Sequence, residues 1–162
     1  LTKHAEEIEK LLDGIVVAEL IASDEAVEDA SLFAMESHLE HFLIQNWKQS
    51  ELGKDYDIFE VDGEQVGQQY QTDTGPLDIL AISKDHKTIL VVELKRGRAS
   101  DKVVGQILRY MGYVQDVLAE DGQQVRGVII ALEDDNKLRR ALAMVSSVDF
   151  YRYQISFKLI KA

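Results

Sequence analysis

Apolar residues at helical spacing predict two helices near the start of the chain. Between residues 32 and 47, apolar side chains recur at positions 32, 35, 39, 42, 43 and 47, and this spacing places them on one side of a helix. Within residues 1–30, a shorter stripe is formed by Ile8, Leu11, Leu12 and Ile15. We interpret residues 1–30 as a helical extension that serves packing or dimerisation, and residues 31–162 as the main domain.

Four strand-like segments follow the first long helix. Residues 56–61 and 65–71 alternate weakly on either side of Asp62 and Gly63, a dipeptide typical of tight hairpin turns. Residues 77–82 and 88–94 are two apolar runs joined by the polar stretch 83–87. We therefore predict two hairpins.

The second half of the chain alternates helices and strands. Ser100 and Asp101 can cap a helix that runs to about residue 120 and stops before Gly122. Its buried stripe consists of Val103, Ile107, Met111, Val114 and Leu118. A strand at 126–132, a helix at 135–145 and a final strand at 149–160 complete the prediction. This order is typical of an α/β fold, an α+β mixed arrangement in which helices flank a central mixed β-sheet.

Composition limits the classes of protein to which the chain can belong. Its 162 residues are 46% hydrophobic, which is enough for one domain with a sizeable core. With no cysteine, it can hold neither a disulfide nor a thiolate metal site. We see no membrane span and no secretory signal, so we expect a cytoplasmic protein. Because the chain starts at Leu1 without a methionine, we also expect further domains outside it.

The distribution of charge matters more than its total. A net charge of −11 argues against nucleic-acid binding, because neutralising phosphates normally requires a surplus of Lys and Arg. Residues 95–109 are an exception, since Asp101 is their only acid beside five basic residues: Lys95, Arg96, Arg98, Lys102 and Arg109. A local basic patch is therefore expected on an acidic protein.

The second hairpin brings candidate catalytic residues together. If its turn is centred on Asp85 and His86, Asp78 faces Glu93, and the two carboxylates point to one side of the sheet. Lys95 shares that side because side chains alternate along a strand. A loop of three or five residues would shift the register by one and move Asp78 to the other side.

Two interpretations of these charges are open. Any single Asp or Glu-x-Lys is most often part of a surface ion pair, here between Asp78 or Glu93 and Lys95 or Arg96. The combination favours a second interpretation, because two opposed carboxylates repel each other at the end of an apolar strand. A divalent cation such as Mg²⁺ compensates such a pair well, and Lys95 could then hold or deprotonate an attacking water.

Two helices add further candidates to this site. On a helical wheel, Glu36 lies inside the apolar arc of the first long helix and Glu40 lies at its edge, so we expect Glu36 to point toward the sheet. Gln106 and Tyr110 are one helical turn apart and share a face of the second long helix. They could support Lys95 or bind phosphate, or they could be an ordinary margin of a half-buried helix.

Taken together, these motifs resemble the PD-(D/E)XK nuclease superfamily, and within it the nuclease domain of NucS/EndoMS-like endonucleases. The resemblance covers about residues 32–132, and its motifs are Glu36-Ser37-His38-Leu39-Glu40, Gly75-Pro76-Leu77-Asp78-Ile79-Leu80, Ile89-Leu90-Val91-Val92-Glu93-Leu94-Lys95-Arg96 and Gln106-Ile107-Leu108-Arg109-Tyr110. It implies a restriction-endonuclease-like core and the hydrolysis of DNA phosphodiester bonds in repair or restriction.

The resemblance also implies roles for individual residues. Asp78 and Glu93 would ligate Mg²⁺ or Mn²⁺, and Glu36 would do so directly or through water, with Glu40 as the fallback. Lys95 would serve the nucleophilic water, and Gln106 would support the site. We expect DNA to contact five residues: Arg96, Arg98, Lys102, Arg109 and Tyr110.

Two other functions remain as alternatives. The first is a catalytically inactive module of the same fold that binds nucleic acid or a partner protein. The second is a purely structural or dimerisation domain, and a homodimer would be compatible with the enzyme as well. The presence of Asp78, Glu93 and Lys95 together favours the enzyme, because an inactive module need not retain all three.

Overall fold

The computed structural model describes residues 37–154 and 159–162. The described part of the first long helix, α1, covers residues 37–45 and is followed by short 3-10 turns at Trp47–Gln49 and Leu52–Lys54. The predicted extension at 1–30 and the position of Glu36 lie outside the described residues. Within the described ranges, no helix is both long and apolar enough to cross a membrane.

Eight strands and two further helices follow α1 in the described part of the chain. The strands are β1 Tyr56–Ile58, β2 Glu60–Val61, β3 Glu64–Gln65, β4 Gln68–Thr72, β5 Gly75–Ser83, β6 Thr88–Leu94, β7 Gln124–Ala131 and β8 Val148–Arg152. The helices are α2 Lys102–Tyr113, which continues as a π-helical turn at Val114–Leu118, and α3 Asn136–Ala143.

The main sheet of the described residues has six strands and mixes both kinds of pairing. Its order is β1-β5-β6-β7-β8, and β4 pairs with the other half of the same edge of β5. Strands β5 and β6 are antiparallel, whereas β6, β7 and β8 run parallel to one another. Strands β2 and β3 form a separate small hairpin. The predicted mixed sheet flanked by helices is therefore confirmed.

A hydrophobic cluster covers each face of the sheet. Ile107 of α2 belongs to the cluster that contains Val91, whereas Trp47, just after α1, belongs to the cluster that contains Val92. Every residue of β6 after Thr88 is buried, as expected for a central strand covered on both sides. The strand that carries Glu93 is thus the centre of the core.

Both predicted turns form, but the first hairpin is shorter than predicted: only β2 and β3 pair across it, whereas β1 and β4 both pair with β5. Asp62 and Gly63 both have positive φ, 53° and 81°, and they join β2 to β3 as a two-residue turn should. The second helix extends almost as far as predicted, but its α-helical part ends at Tyr113 and its last turn, to Leu118, is π-helical. Helix α3 begins as expected, with the Asp135 carboxylate accepting a hydrogen bond of 2.7 Å from the Leu138 amide.

The prediction of a final strand at 149–160 is wrong in its length. Strand β8 ends at Arg152, which pairs with Ala131, the last residue of β7. Leu159 and Ile160 are 89% and 80% exposed, and residues 155–158 lie outside the described part. An apolar, β-branched composition favours a strand only where a neighbouring strand continues beside it.

We predict that Gly67→Ala destabilises the protein by about 3 kcal/mol, near the upper end of overpacking costs. A Cβ at Gly67 would lie 2.2 Å from the Leu80 carbonyl oxygen, which is backbone and cannot move aside easily. Gly112→Ala is the control: no heavy atom lies within 4 Å of its added Cβ, and alanine favours a helix over glycine by about 1 kcal/mol. Urea unfolding followed by circular dichroism measures both; equal midpoints would contradict the prediction.

Candidate active site

The β5–β6 hairpin has the register that a turn at Asp85 and His86 predicts. Backbone pairing runs from Ile82 opposite Ile89 to Ile79 opposite Val92. One step further along the same register, Asp78 lies opposite Glu93. The two acids are therefore neighbours at the end of the antiparallel ladder.

At this end of the β5–β6 ladder, side-chain carboxylates take the place of backbone carbonyls as hydrogen-bond acceptors. The Leu94 amide donates a hydrogen bond of 2.8 Å to Asp78 Oδ2, and the Asp78 amide makes a long contact of 3.5 Å with Glu93 Oε1. The strands β5 and β6 are thus held together here by carboxylates rather than by amide–carbonyl pairs.

On its other side, β6 remains fully paired beyond this point. Glu93 and Leu94 lie opposite Ile129 and Ile130 of β7, and the Lys95 amide donates to the Ile130 carbonyl at 2.7 Å. The backbone that carries Glu93 and Lys95 is therefore fixed by β7 beyond the point where backbone pairing with β5 ends.

Burial makes this pair electrostatically costly. Glu93 is 2% exposed, and its burial together with the negative charge of Asp78 raises the pKa of Glu93 to about 8, against the opposing effect of Lys95. Burial also raises the pKa of Asp78, although the Leu94 amide, Lys95 and Gln69 favour its charged form. At neutral pH the pair therefore retains a proton on Glu93 unless another positive charge is present.

A third acid, Glu40 of α1, reaches this site. Glu40 is only 8% exposed and accepts hydrogen bonds from Gln68 Nε2 at 3.0 Å and Gln69 Nε2 at 2.5 Å. The same Gln69 nitrogen lies 3.3 Å from Asp78 Oδ1. Among the described residues, Glu40 is thus the helix acid linked to Asp78, and the expectation for Glu36 falls outside them.

Gln69 is a component that our sequence analysis missed. Its φ of 50° places it in the left-handed region, which residues with side chains seldom adopt. Pairing of β4 with β5 includes Gln68 opposite Ile79 and Tyr70 opposite Leu77, so Gln69 lies across from Asp78. The register of the tight turn between β4 and β5 could have indicated that position, but not the backbone conformation.

Gln106 and Tyr110 lie on the side of α2 that faces the sheet. Tyr110 is 7% exposed, and its hydroxyl is 3.8 Å from where a Cβ would stand on Gly75, the first residue of β5. Gln106 is half-buried and makes no hydrogen bond within the described part of the chain. Its amide is therefore available to a ligand.

Four of the predicted DNA-contacting residues are exposed or half-buried. Lys102 and Arg109 are exposed on α2, and Arg96 is half-buried. Arg98 is exposed and pairs with Glu133 at 3.4 Å, so part of its charge is compensated. Tyr110, the fifth, is buried as described above.

The donor set suits a hard divalent cation held by two carboxylates. Within residues 37–154 and 159–162, no group of three or more His, Asp or Glu side chains lies close enough to hold a metal. Asp78 and Glu93 remain as an opposed pair, whereas Glu40 is held beyond the Gln69 amide. Mg²⁺ usually binds through one or two carboxylates, with water and phosphate oxygens as the other ligands.

Comparison with known proteins gives a consistent family. The model of the endonuclease NucS C-terminal domain matches residues 35–152. Endonuclease NucS of Methanocaldococcus jannaschii is 31% identical over 107 residues, which are 66% of this chain and 36% of that protein. Endonuclease NucS of Sulfolobus acidocaldarius is 29% identical over 75 residues, 46% of this chain and 28% of that protein. The chain thus spans about a third of the length of these curated relatives.

Solved structures support the same fold. An EndoMS–double-stranded DNA complex superposes with a TM-score of 0.59 at 21% identity, over 76% of this chain and 46% of that one. A repair endonuclease from Pyrococcus abyssi gives 0.57 at 21% identity, over 86% and 50% respectively. At 21% identity, the similarity to these two structures shows a shared fold.

We predict that the metal-free protein loses stability as the pH rises from about 4.5 to about 8, the ordinary and the raised pKa of Glu93. In this window the folded protein keeps the Glu93 proton that the unfolded chain releases, so unfolding becomes easier by up to about 1.4 kcal/mol per pH unit. Urea unfolding in EDTA measures this slope, and Glu93→Gln should flatten it. Glu51→Gln, at an exposed ion pair with Lys54, is the control; identical slopes in all three proteins would refute the assignment.

Proposed function

The chain belongs to the family of endonuclease NucS C-terminal domains, and from this premise we propose that it hydrolyses DNA phosphodiester bonds with the help of Mg²⁺ or Mn²⁺. The observation that carries the proposal is the buried pair of Asp78 and Glu93, with Lys95 close enough to act on the charge of both. Isolated surface ion pairs do not have this burial or this like-charge repulsion.

In this proposal, Asp78 and Glu93 hold the cation through their carboxylate oxygens. When bound, the cation would polarise the scissile phosphate and lower the pKa of a coordinated water. Lys95 donates hydrogen bonds to the water or to a phosphoryl oxygen and offsets the negative charge that builds up there. The new bond forms between the water oxygen and phosphorus, and the water gives up a proton. The bond to the leaving deoxyribose oxygen breaks, and that oxygen takes up a proton.

Neighbouring residues would set the position of these groups. We propose Glu40 as the third acid, because it already connects to Asp78 through Gln69. Gln106 would donate from its available amide to phosphate or water. Tyr110 would support the site indirectly by packing against the start of β5, since little of its side chain is exposed.

The DNA would run along the basic residues beside the site: Arg96, Arg98, Lys102 and Arg109. Because one structural neighbour is a complex with double-stranded DNA and another is named a repair endonuclease, we propose double-stranded DNA as the substrate and repair as the role, in preference to restriction. The chain covers only part of these proteins, so other regions could contribute to binding in them.

The second candidate function is an inactive module of the same fold that binds DNA or a partner protein. Cleavage assays separate the two, because an inactive module binds without cutting.

We predict that Asp78→Asn and Lys95→Ala each reduce DNA cleavage by roughly 100-fold or more, the scale of losing one preorganised electrostatic contact. Cleavage of end-labelled single-stranded, double-stranded and branched DNA with Mg²⁺, Mn²⁺ or EDTA measures this. Asp57→Asn and Lys84→Ala are matched controls, since these residues form an exposed pair at 2.8 Å on another part of the sheet. Activity that survives EDTA and both site substitutions would overturn the proposal.

We also predict that DNA binding weakens steeply with salt and that Lys102→Ala and Arg109→Ala each lower the slope of log affinity against log salt by about one unit. The reason is that each lost phosphate contact releases one fewer counterion. Fluorescence anisotropy with labelled duplex and Asp78→Asn protein avoids cleavage during the titration. Arg140→Ala, an exposed cation on α3, should leave the slope unchanged; an equal effect there would point to general charge rather than to this surface.

A further inference from the structure

One amide nitrogen connects the acid of α1 to the acid of β5. Gln69 Nε2 donates to Glu40 Oε2 at 2.5 Å and lies 3.3 Å from Asp78 Oδ1. An amide NH₂ group carries two hydrogens, so it can serve two carboxylates at once. Gln68, the preceding residue, donates to Glu40 at 3.0 Å and has no bond to Asp78 among the described contacts.

The backbone of Gln69 is arranged for this connection. Residues in a regular strand point to alternate faces, so a regular β4 would send the side chains of Gln68 and Gln69 to opposite sides. Instead, Gln69 adopts a φ of 50°, and both amides reach Glu40. A left-handed conformation is unfavourable for glutamine, and such conformations persist at functional sites when the surrounding contacts maintain them.

The hydrogen bond from Gln69 also helps to fix the orientation of the Asp78 carboxylate. Its Oδ2 atom accepts from the Leu94 amide at 2.8 Å, and its Oδ1 atom accepts from Gln69. With one donor on each oxygen, the carboxylate plane cannot rotate without losing a bond. Groups that orient a metal-ligating carboxylate in this way tune how well it binds its ion.

On the basis of the proposed function, we propose that Gln69 is a positioning residue: by bridging Glu40 and Asp78 with one amide group, it fixes the spacing of the two acids and thereby the affinity of the Asp78–Glu93 pair for a divalent cation. Glu40 then influences the site through Gln69 rather than as a third direct ligand. Gln69 touches neither the cation nor the DNA.

Gln69→Asn tests this role without straining the fold. Asparagine tolerates the left-handed region better than glutamine, so the substitution adds no backbone strain at position 69. Its side chain is one methylene shorter, so its amide cannot span both carboxylates. Gln68→Asn is the matched control, because it shortens a neighbouring amide that contacts Glu40 alone.

Two readouts are needed, and both use the full chain. Calorimetric titration with Mn²⁺ alone should show binding that is about 10- to 100-fold weaker in Gln69→Asn, the usual effect of removing a group that orients a metal ligand. At a subsaturating Mn²⁺ concentration, kcat should fall while KM for duplex DNA stays at the wild-type value, and saturating Mn²⁺ should restore kcat. Gln68→Asn should remain close to wild type in both measurements. If a general loss of packing around Glu40 were the cause, Gln68→Asn would show the same losses as Gln69→Asn.

The outcomes distinguish this inference from the proposed function. If the wild-type protein binds Mn²⁺ and cleaves DNA but Gln69→Asn matches it, the positioning role is wrong and the nuclease proposal stands. Equal losses in Gln68→Asn and Gln69→Asn would also refute the role, because contact with Glu40 alone would then explain them. A wild-type protein that neither binds Mn²⁺ nor cleaves DNA would overturn the proposed function and this inference together.

Discussion

The repulsion between Asp78 and Glu93 is the interaction on which the organisation of this site depends. The register of the hairpin places the two acids opposite each other, and the apolar surroundings of β6 leave little water to screen them. The protein supplies partial compensation to Asp78 through the Leu94 amide, Lys95 and Gln69. Glu93 receives less compensation, so its pKa remains raised, at about 8. A cation that reaches both carboxylates would stabilise such a site. The pair is therefore costly to the fold without a cation and useful to the proposed chemistry with one.

The sheet topology explains how such a pair can remain ordered. Strand β6 has two neighbours of different kinds, antiparallel β5 and parallel β7. Pairing with β5 ends at Ile79 and Val92, whereas pairing with β7 continues to Leu94 and Ile130. The backbone that carries Glu93 and Lys95 is therefore held by β7 on one side, while on the other side the Asp78 carboxylate takes the place of backbone pairing. A ladder that ends early on only one side lets carboxylates face a ligand without loosening the strand that presents them.

The parts of this site that follow from local periodicity could be predicted from sequence. The polar stretch around Asp85 and His86 determined which residues of β5 and β6 face each other, and the two-residue period placed Lys95 near Glu93. The helical wheel favoured Glu36, whereas Glu40 is the acid that the described residues link to Asp78, because a wheel describes direction around the helix axis and not what lies beyond the strand ends. Gln69 could not be found by periodicity, since its conformation breaks the strand pattern. The length of β8 depended on where its neighbour β7 ends, which lies elsewhere in the sequence.

An acidic protein that is proposed to act on a polyanion raises an electrostatic question that the total charge does not answer. At physiological salt, exposed charges more than about 8 Å apart are largely screened, so most of the 29 acidic residues have little effect on a phosphate at the site. The charges that matter there are Asp78, Glu93, Lys95 and the cation. Without the cation, Glu93 keeps its proton and the charge of Asp78 offsets that of Lys95; with it, two negative charges are balanced and Lys95 supplies a net attraction. Binding of the scissile phosphate and binding of the cation should therefore favour each other, because each ligand lowers the electrostatic cost of the other at the same two carboxylates.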